Sequence, residues 1–241
     1  MPHYALLGGG RLARHMRRYL SLLNLPVSGW ARDPKSALNS LAIDDPQMRL
    51  LATIEPATHV LLLVSDAAIA DVVRHYPFLR EKRLVHCAGA LSFPGIAGAH
   101  PLMTFSDSLY LPELYRRMPF IVESGSRFSE LLPGLPNPSF EIAPEHKARY
   151  HALCVMAGNF SQVLWQAAAA RFEGMGLRAD ALEPYLRQVT DNFIAARGSA
   201  LTGPLSRGDQ ATIERNLAAL AGDGLEHLYR AFLEFHAEAA A

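Results

Sequence analysis

The side chains best suited to chemistry in this 241-residue chain lie in the stretch "EHKARYHALCVMAGN". Lys147 and His151 are four residues apart, so on a helix they share one face. Reducing a carbonyl by hydride requires a proton donor at the developing alkoxide, and lysine or histidine can serve. Asn159 follows, about 120° around an ideal helix from Lys147. The alternative is a solvated first turn with a buried continuation. Two further stretches offer anion or substrate contacts. "AHPLMTF" places His100 and Thr104 among apolar residues, and "TGPLSRGD" places Arg207 after a Gly-Pro turn. His100 also fits a satisfied structural histidine, and Asp209 fits a cap for the helix after it.

A second constellation is built to hold rather than to react. In "YALLGGGRLARHM", Gly8, Gly10 and Ala13 fit G-x-G-x-x-A between an apolar strand and a helix. The first glycine makes the tight turn, the second lets backbone approach a pyrophosphate, and the small third residue packs helix on strand. The helix then offers the N–H groups of Arg11 and Leu12 to the anion. An NAD site usually has an acidic residue at the end of the second strand. Here that strand ends "GWARD", and Arg32 is placed to meet a 2′-phosphate through its planar fork. NADP(H) is therefore favoured over NAD(H). Asp33 keeps NAD open, or it caps a helix beginning at Pro34. Later loops offer Ser65 and Asp66, which line the nucleotide or cap a helix, and Ala88 and Gly89, small enough for a nicotinamide to come near.

Other chemistries lack their residues. The ten histidines show no H-x-x-x-H spacing and no cysteine pairing suited to zinc. There is no G-x-S-x-G elbow and no P-loop lysine after the glycines. Lys plus Arg and Asp plus Glu are both 23, so net charge gives no argument for nucleic acid or a charged membrane. Cys87 and Cys154 read as small buried hydrophobes in a reducing compartment. Glycines interrupt the first apolar run, which argues against a secretory signal and for a cytoplasmic protein. The stretch from Ala152 to Ala170 is uncharged, but its Asn and Gln residues favour a buried or interface helix over a membrane span.

The elements that must position these groups alternate. "HYALL", "PVSGW", "HVLLLVS", "RLVHCAG", "GIAGAH", "PFIVES" and "SFEIA" read as strands, with helical patterns between most of them. "HVLLLVS" is continuously apolar, as a central parallel strand covered on both faces must be. Beyond Pro144 the pattern is helical throughout. The expectation is α/β: a Rossmann-like, doubly wound parallel sheet over residues 1–144, then an all-helical domain over 145–241.

Taken in order, "LLGGGRLA", "LLLVSDAAIADV", "VHCAGAL", "AHPLMTF", "KARYHALCVMAGN" and "GPLSRGDQATIERNL" resemble a family that pairs a Rossmann-like NADP-oxidoreductase domain with a helical domain of unknown function. That family is similar to ketopantoate reductases, β-hydroxyacid dehydrogenases and pyrroline-5-carboxylate reductases. The resemblance implies an active site between the domains and a homodimer built by the carboxy-terminal helices. It implies hydride transfer between a nicotinamide and a small oxo or hydroxy acid. In β-hydroxyacid dehydrogenases a lysine at the start of the long helix donates the proton, with an asparagine four residues on; here Lys147 matches the lysine and His151 replaces the asparagine. His100 and Arg207 would hold the substrate carboxylate. The rival readings are a dinucleotide-binding module without chemistry, and an imine or deazaflavin-dependent reductase.

Overall fold

The computed structural model describes residues 1–240. Seven strands form one sheet: β1 (Tyr4–Leu7), β2 (Val27–Trp30), β3 (His59–Leu62), β4 (Arg83–His86), β5 (Ala97–Pro101), β6 (Phe120–Glu123) and β7 (Ser139–Ile142). Their order is β2-β1-β3-β4-β5-β6-β7. The chain steps out from β1 to β2, then returns past it to β3, so the order reverses beside β1. In open α/β sheets that reversal marks where ligands bind, beyond the carboxyl ends of the strands.

The sheet is parallel except at one place. β5 and β6 run antiparallel, with Ala99 opposite Val122 and Pro101 opposite Phe120. A parallel pair needs a crossover that returns the chain to its starting edge. Residues after β5 instead run across to helix α1 (Arg11–Leu22), where Asp107 meets Arg11 and the Ser106 carbonyl meets His15. β6 therefore enters the sheet from the far end.

Every residue of β1 is buried, because both faces are covered. On one face Tyr4, Leu6, Leu61, Val85 and Phe120 pack with Met16 and Leu20 of α1 and with Tyr115 of α4 (Pro112–Arg117). On the other, Ala5, Leu7, Val60 and Leu62 pack with α2 (Pro46–Ile54) and α3 (Ile69–His75). β7 follows α5 (Phe128–Leu131).

No helix begins at Pro34. Asp33 accepts from the Lys35 N–H at 2.9 Å and its carbonyl accepts from Asn39, an Asx turn. The same Asp-Pro signature does start a helix a few residues later, where Asp45 accepts from Met48 N–H ahead of Pro46. Asx turns and N-caps draw on the same side chains, and only the apolar continuation of α2 separates them.

The helical run comprises α6 (Lys147–Cys154), a wide π-helical turn (Val155–Phe160) and α7 (Ser161–Gly174), then α8 (Glu183–Ala196), α9 (Pro204–Arg207), α10 (Gln210–Ala219) and α11 (Leu225–Ala240). The chain divides into two compact units, Met1–Val163 and Leu164–Ala241. The change from strand to helix falls near residue 144, but the division comes later, because α6 is tied to the sheet by its side chains. In the second unit Asp209 caps α10, accepting from Thr212 N–H, and Arg171 grips Asp223 through three hydrogen bonds. No helix of the described residues is long and apolar enough to cross a membrane.

Candidate functional site

The glycine turn sits at the carboxyl end of β1. Gly8 has φ +140°, and a Cβ there would lie 2.2 Å from the Leu63 carbonyl oxygen. This glycine is fixed by packing. Gly10 is different: a Cβ built on it meets nothing within 4 Å. It precedes α1, whose first internal bond runs from Arg14 N–H to the Gly10 carbonyl. The N–H groups of Arg11, Leu12 and Ala13 therefore have no acceptor within the helix. No side chain caps them and no acidic residue stands in the first turn. A dinucleotide pyrophosphate fits this cradle: open approach, unpaired donors and the positive end of a helix dipole.

Arg32 is exposed just beyond β2. The Arg11 guanidinium turns aside to Asp107 at 3.1 Å, so Arg11 contributes its backbone to the cradle. Leu12 packs part of its side chain on the core. Ser65 and Asp66 are exposed after β3, and the Ser65 hydroxyl caps nothing. Ala88 and Gly89 are buried after β4.

Further along the sheet, on β4, β5 and β6, the register builds a polar cluster. His86, Gly98 and Glu123 occupy one cross-strand row, since His86 pairs with Gly98 and the antiparallel register carries the row on to Glu123. Alternation puts all three on the same face. Gly98 leaves a gap in the middle, and Lys147 fills it. Its Nζ lies 2.7 Å from Glu123 Oε1, and a Cβ on Gly98 would come within 2.7 Å of that oxygen and 2.8 Å of that nitrogen. Lys147 is only 3% exposed. A cation at the first residue of a helix opposes the helix dipole, so Glu123 is what makes this placement tolerable. Burial pushes the Glu123 carboxyl up, but the Lys147 hydrogen bond and charge outweigh it and hold it below the usual range.

Two residues further along β5, His100 Nδ1 lies 2.7 Å from the Tyr150 hydroxyl. The His100 and His151 rings meet edge to face at 5.9 Å. Both press on Gly89, where a Cβ would lie 2.4 Å from His151 Cδ2 and 3.1 Å from His100 Nε2. Burial, then the charges of His151 and Lys147, push His100 down to about 4. Burial, then Cys154, push the Tyr150 hydroxyl up. Cys154 is only half-buried, whereas Cys87 is buried; both are free thiols.

The structure thus brings Lys147, His151, His100 and Gly89 together. Thr104 and Asn159 stand apart from them: Thr104 is exposed, its carbonyl accepting from Tyr110, and Asn159 is exposed on the wide turn. Arg207 is exposed on α9 of the second unit. Glu123, His86 and Tyr150 complete the cluster; His86 and Tyr150 lie inside "VHCAGAL" and "KARYHALCVMAGN" without being candidates in their own right, and Glu123 lies in no motif. The one sequence signal for Glu123 is a charge closing the apolar run "PFIVE". Among the described residues no three of His, Cys, Asp and Glu stand together as a metal site.

Residues 123–234 match the family model of a domain of unknown function, DUF2520. Solved structures share the fold over nearly the whole chain. The Bacteroides fragilis protein BF3122 is 21% identical with a TM-score of 0.75, covering 98% of each chain. An imine reductase from Myxococcus stipitatus in complex with NADP+ is 14% identical with a TM-score of 0.65, covering 99% of this chain and 94% of its own. Plasmodium falciparum pyrroline carboxylate reductase with NADP bound is 12% identical with a TM-score of 0.62, covering 99% and 97%. No curated protein matches the sequence. The resemblance read from the motifs stands: a mostly parallel sheet followed by a helical region, a match to the DUF2520 model that runs from the end of β6 into α11, and a fold shared with NADP-binding reductases.

Proposed function

We propose that this protein is an NADP-dependent reductase that passes hydride from the nicotinamide to a small oxo acid beside Gly89. The observation that carries the reading is the open Gly10 cradle with its three unpaired N–H groups, on the same sheet as a buried lysine and two histidines. The pyrophosphate takes the start of α1, Arg32 takes the 2′-phosphate, and Ala88 and Gly89 admit the nicotinamide. When bound, the cofactor supplies the hydride. Lys147 supplies the proton to the new hydroxyl, and His151 and His100 orient the substrate. An imine substrate is the second reading, favoured by the fold shared with an imine reductase.

Calorimetric titration with NADPH and NADH, beside an Arg32→Glu variant, tests this. NADPH should bind more tightly, and the variant should lose that preference. If neither cofactor binds to protein shown free of bound nucleotide, the reading is wrong. A panel of oxo acids and cyclic imines with NADPH then separates the two substrate classes.

A further inference from the structure

His86 is fully buried, and its Nε2 has no hydrogen-bond partner. Such orphans are rare in folded proteins and each requires a reason. The ring is firmly held. Its Nδ1 accepts from Ala88 N–H at 3.2 Å, and Phe93 packs edge-on at 4.9 Å between centroids. With Nδ1 accepting, the proton of the neutral ring sits on Nε2. That N–H looks across Gly98 at Glu123 Oε1, 3.8 Å away and beyond hydrogen-bonding range. The same oxygen is held by Lys147. The Ser92 hydroxyl also lies against this carboxylate, and of the two nitrogen donors that face Oε1, Lys147 is engaged and His86 is not.

We propose that His86 is a positioning residue that replaces Lys147 as the partner of Glu123 when the lysine gives up its proton. This rests on the reading of Lys147 as proton donor. As hydride reaches the carbonyl carbon, the alkoxide oxygen takes a proton from Nζ. One N–H bond breaks, one O–H bond forms, and Nζ keeps the electron pair. Glu123 has then lost its counter-charge in a partly buried setting, where an unpaired carboxylate is costly. Closing about 1 Å lets the Nε2–H of His86 bond to Oε1. Nothing is transferred from His86. Solvent returns a proton to Nζ, and Lys147 reclaims the oxygen.

The charged and titratable groups facing His86 are Lys147 from α6, Glu123 from β6 and His100 from β5. Burial first, then the Lys147 charge, hold the imidazole down to about 4, while Glu123 pulls it upward and His100 downward. Take the lysine charge away, and the strongest charge opposing Glu123 is gone; burial and His100 remain, but the balance moves upward.

The test is Lys147→Met in the full chain, which keeps the length and removes the charge. With histidine-labelled protein, the His86 ring is followed by NMR as a function of pH and identified by its loss in His86→Gln. Its midpoint should climb by about 1–3 pH units, with Nε2 showing the shift of a hydrogen-bonded nitrogen. Adding Glu123→Gln to Lys147→Met should abolish the climb. A His86 signal unchanged from the parent protein in a folded Lys147→Met variant overturns the proposal. Lys147→Leu gives the same reading if the methionine variant does not fold. The signature is measured without cofactor, so it stands or falls separately from the reductase reading, which NADPH binding decides.

Discussion

Replacing Gly10 by alanine separates the glycine turn as a ligand cradle from the glycine turn as a piece of structure. A Cβ at this position enters open space, and the backbone at φ −79° already suits alanine. The one structural cost is at the helix N-cap, where alanine is worse than glycine by about 1 kcal/mol. For a chain of this size that lowers the melting temperature by about 2–4 °C. The methyl group does, however, occupy the approach to the N–H groups of Arg11, Leu12 and Ala13. Losing one charge-assisted hydrogen bond to a pyrophosphate costs about 1.5–3 kcal/mol, or about 10- to 140-fold in affinity. Thermal melting and NADPH calorimetry on one preparation read both effects. Gly8→Ala is the contrast, because its Cβ strikes the Leu63 carbonyl from a left-handed backbone. Conformational strain and overpacking there destabilise the fold by about 2–6 kcal/mol. Unchanged NADPH affinity in Gly10→Ala would refute the cradle. So would a loss of stability as large as that of Gly8→Ala, because it would mean that the Gly10 site is not open.

Two other outcomes follow from the same geometry. His86 and His100 are held at about 4 against an ordinary 6.5, so between those values the unfolded chain takes up protons that the folded chain refuses. Stability should fall as pH drops from about 6.5 toward about 4. Glu123, whose carboxyl is held low, adds its own loss as pH falls through its folded value. Melting temperatures at about pH 7 and about pH 5 check this, and equal values would contradict it. Leu153, Met156, Phe160 and Val163 each leave more than half of their surface exposed, spaced three, four and three residues apart along a stretch without charge. We propose that a second copy of the chain covers this face. Phe160→Arg should turn a dimer into a monomer in sedimentation velocity, and a monomeric parent protein would dispose of the idea.

The strands were legible because continuous apolar runs have few alternatives, and the glycine turn because its three requirements coincide at the first strand–helix junction. The antiparallel entry of β6 was not, since "PFIVES" reads the same in either direction and the loop contacts to α1 that decide it are far away in sequence. The cluster was half legible. Lys147 and His151 announce themselves by helical spacing, and Tyr150 was hidden between them. His86 and Glu123 look like polar ends of apolar strands. They become a site only through the register that lines them up with Gly98, and register is a property of paired strands that no single segment carries.

That row also constrains how the chain can change over time. The empty place at Gly98 and the long side chain at Lys147 occupy one volume between them, from segments 49 residues apart by the numbering. A side chain at position 98 displaces the lysine ammonium or the carboxylate that holds it, and losing the lysine leaves Glu123 without its cation. The two positions are therefore coupled through one volume: a residue larger than glycine at 98 is expected only where the lysine at 147 is gone.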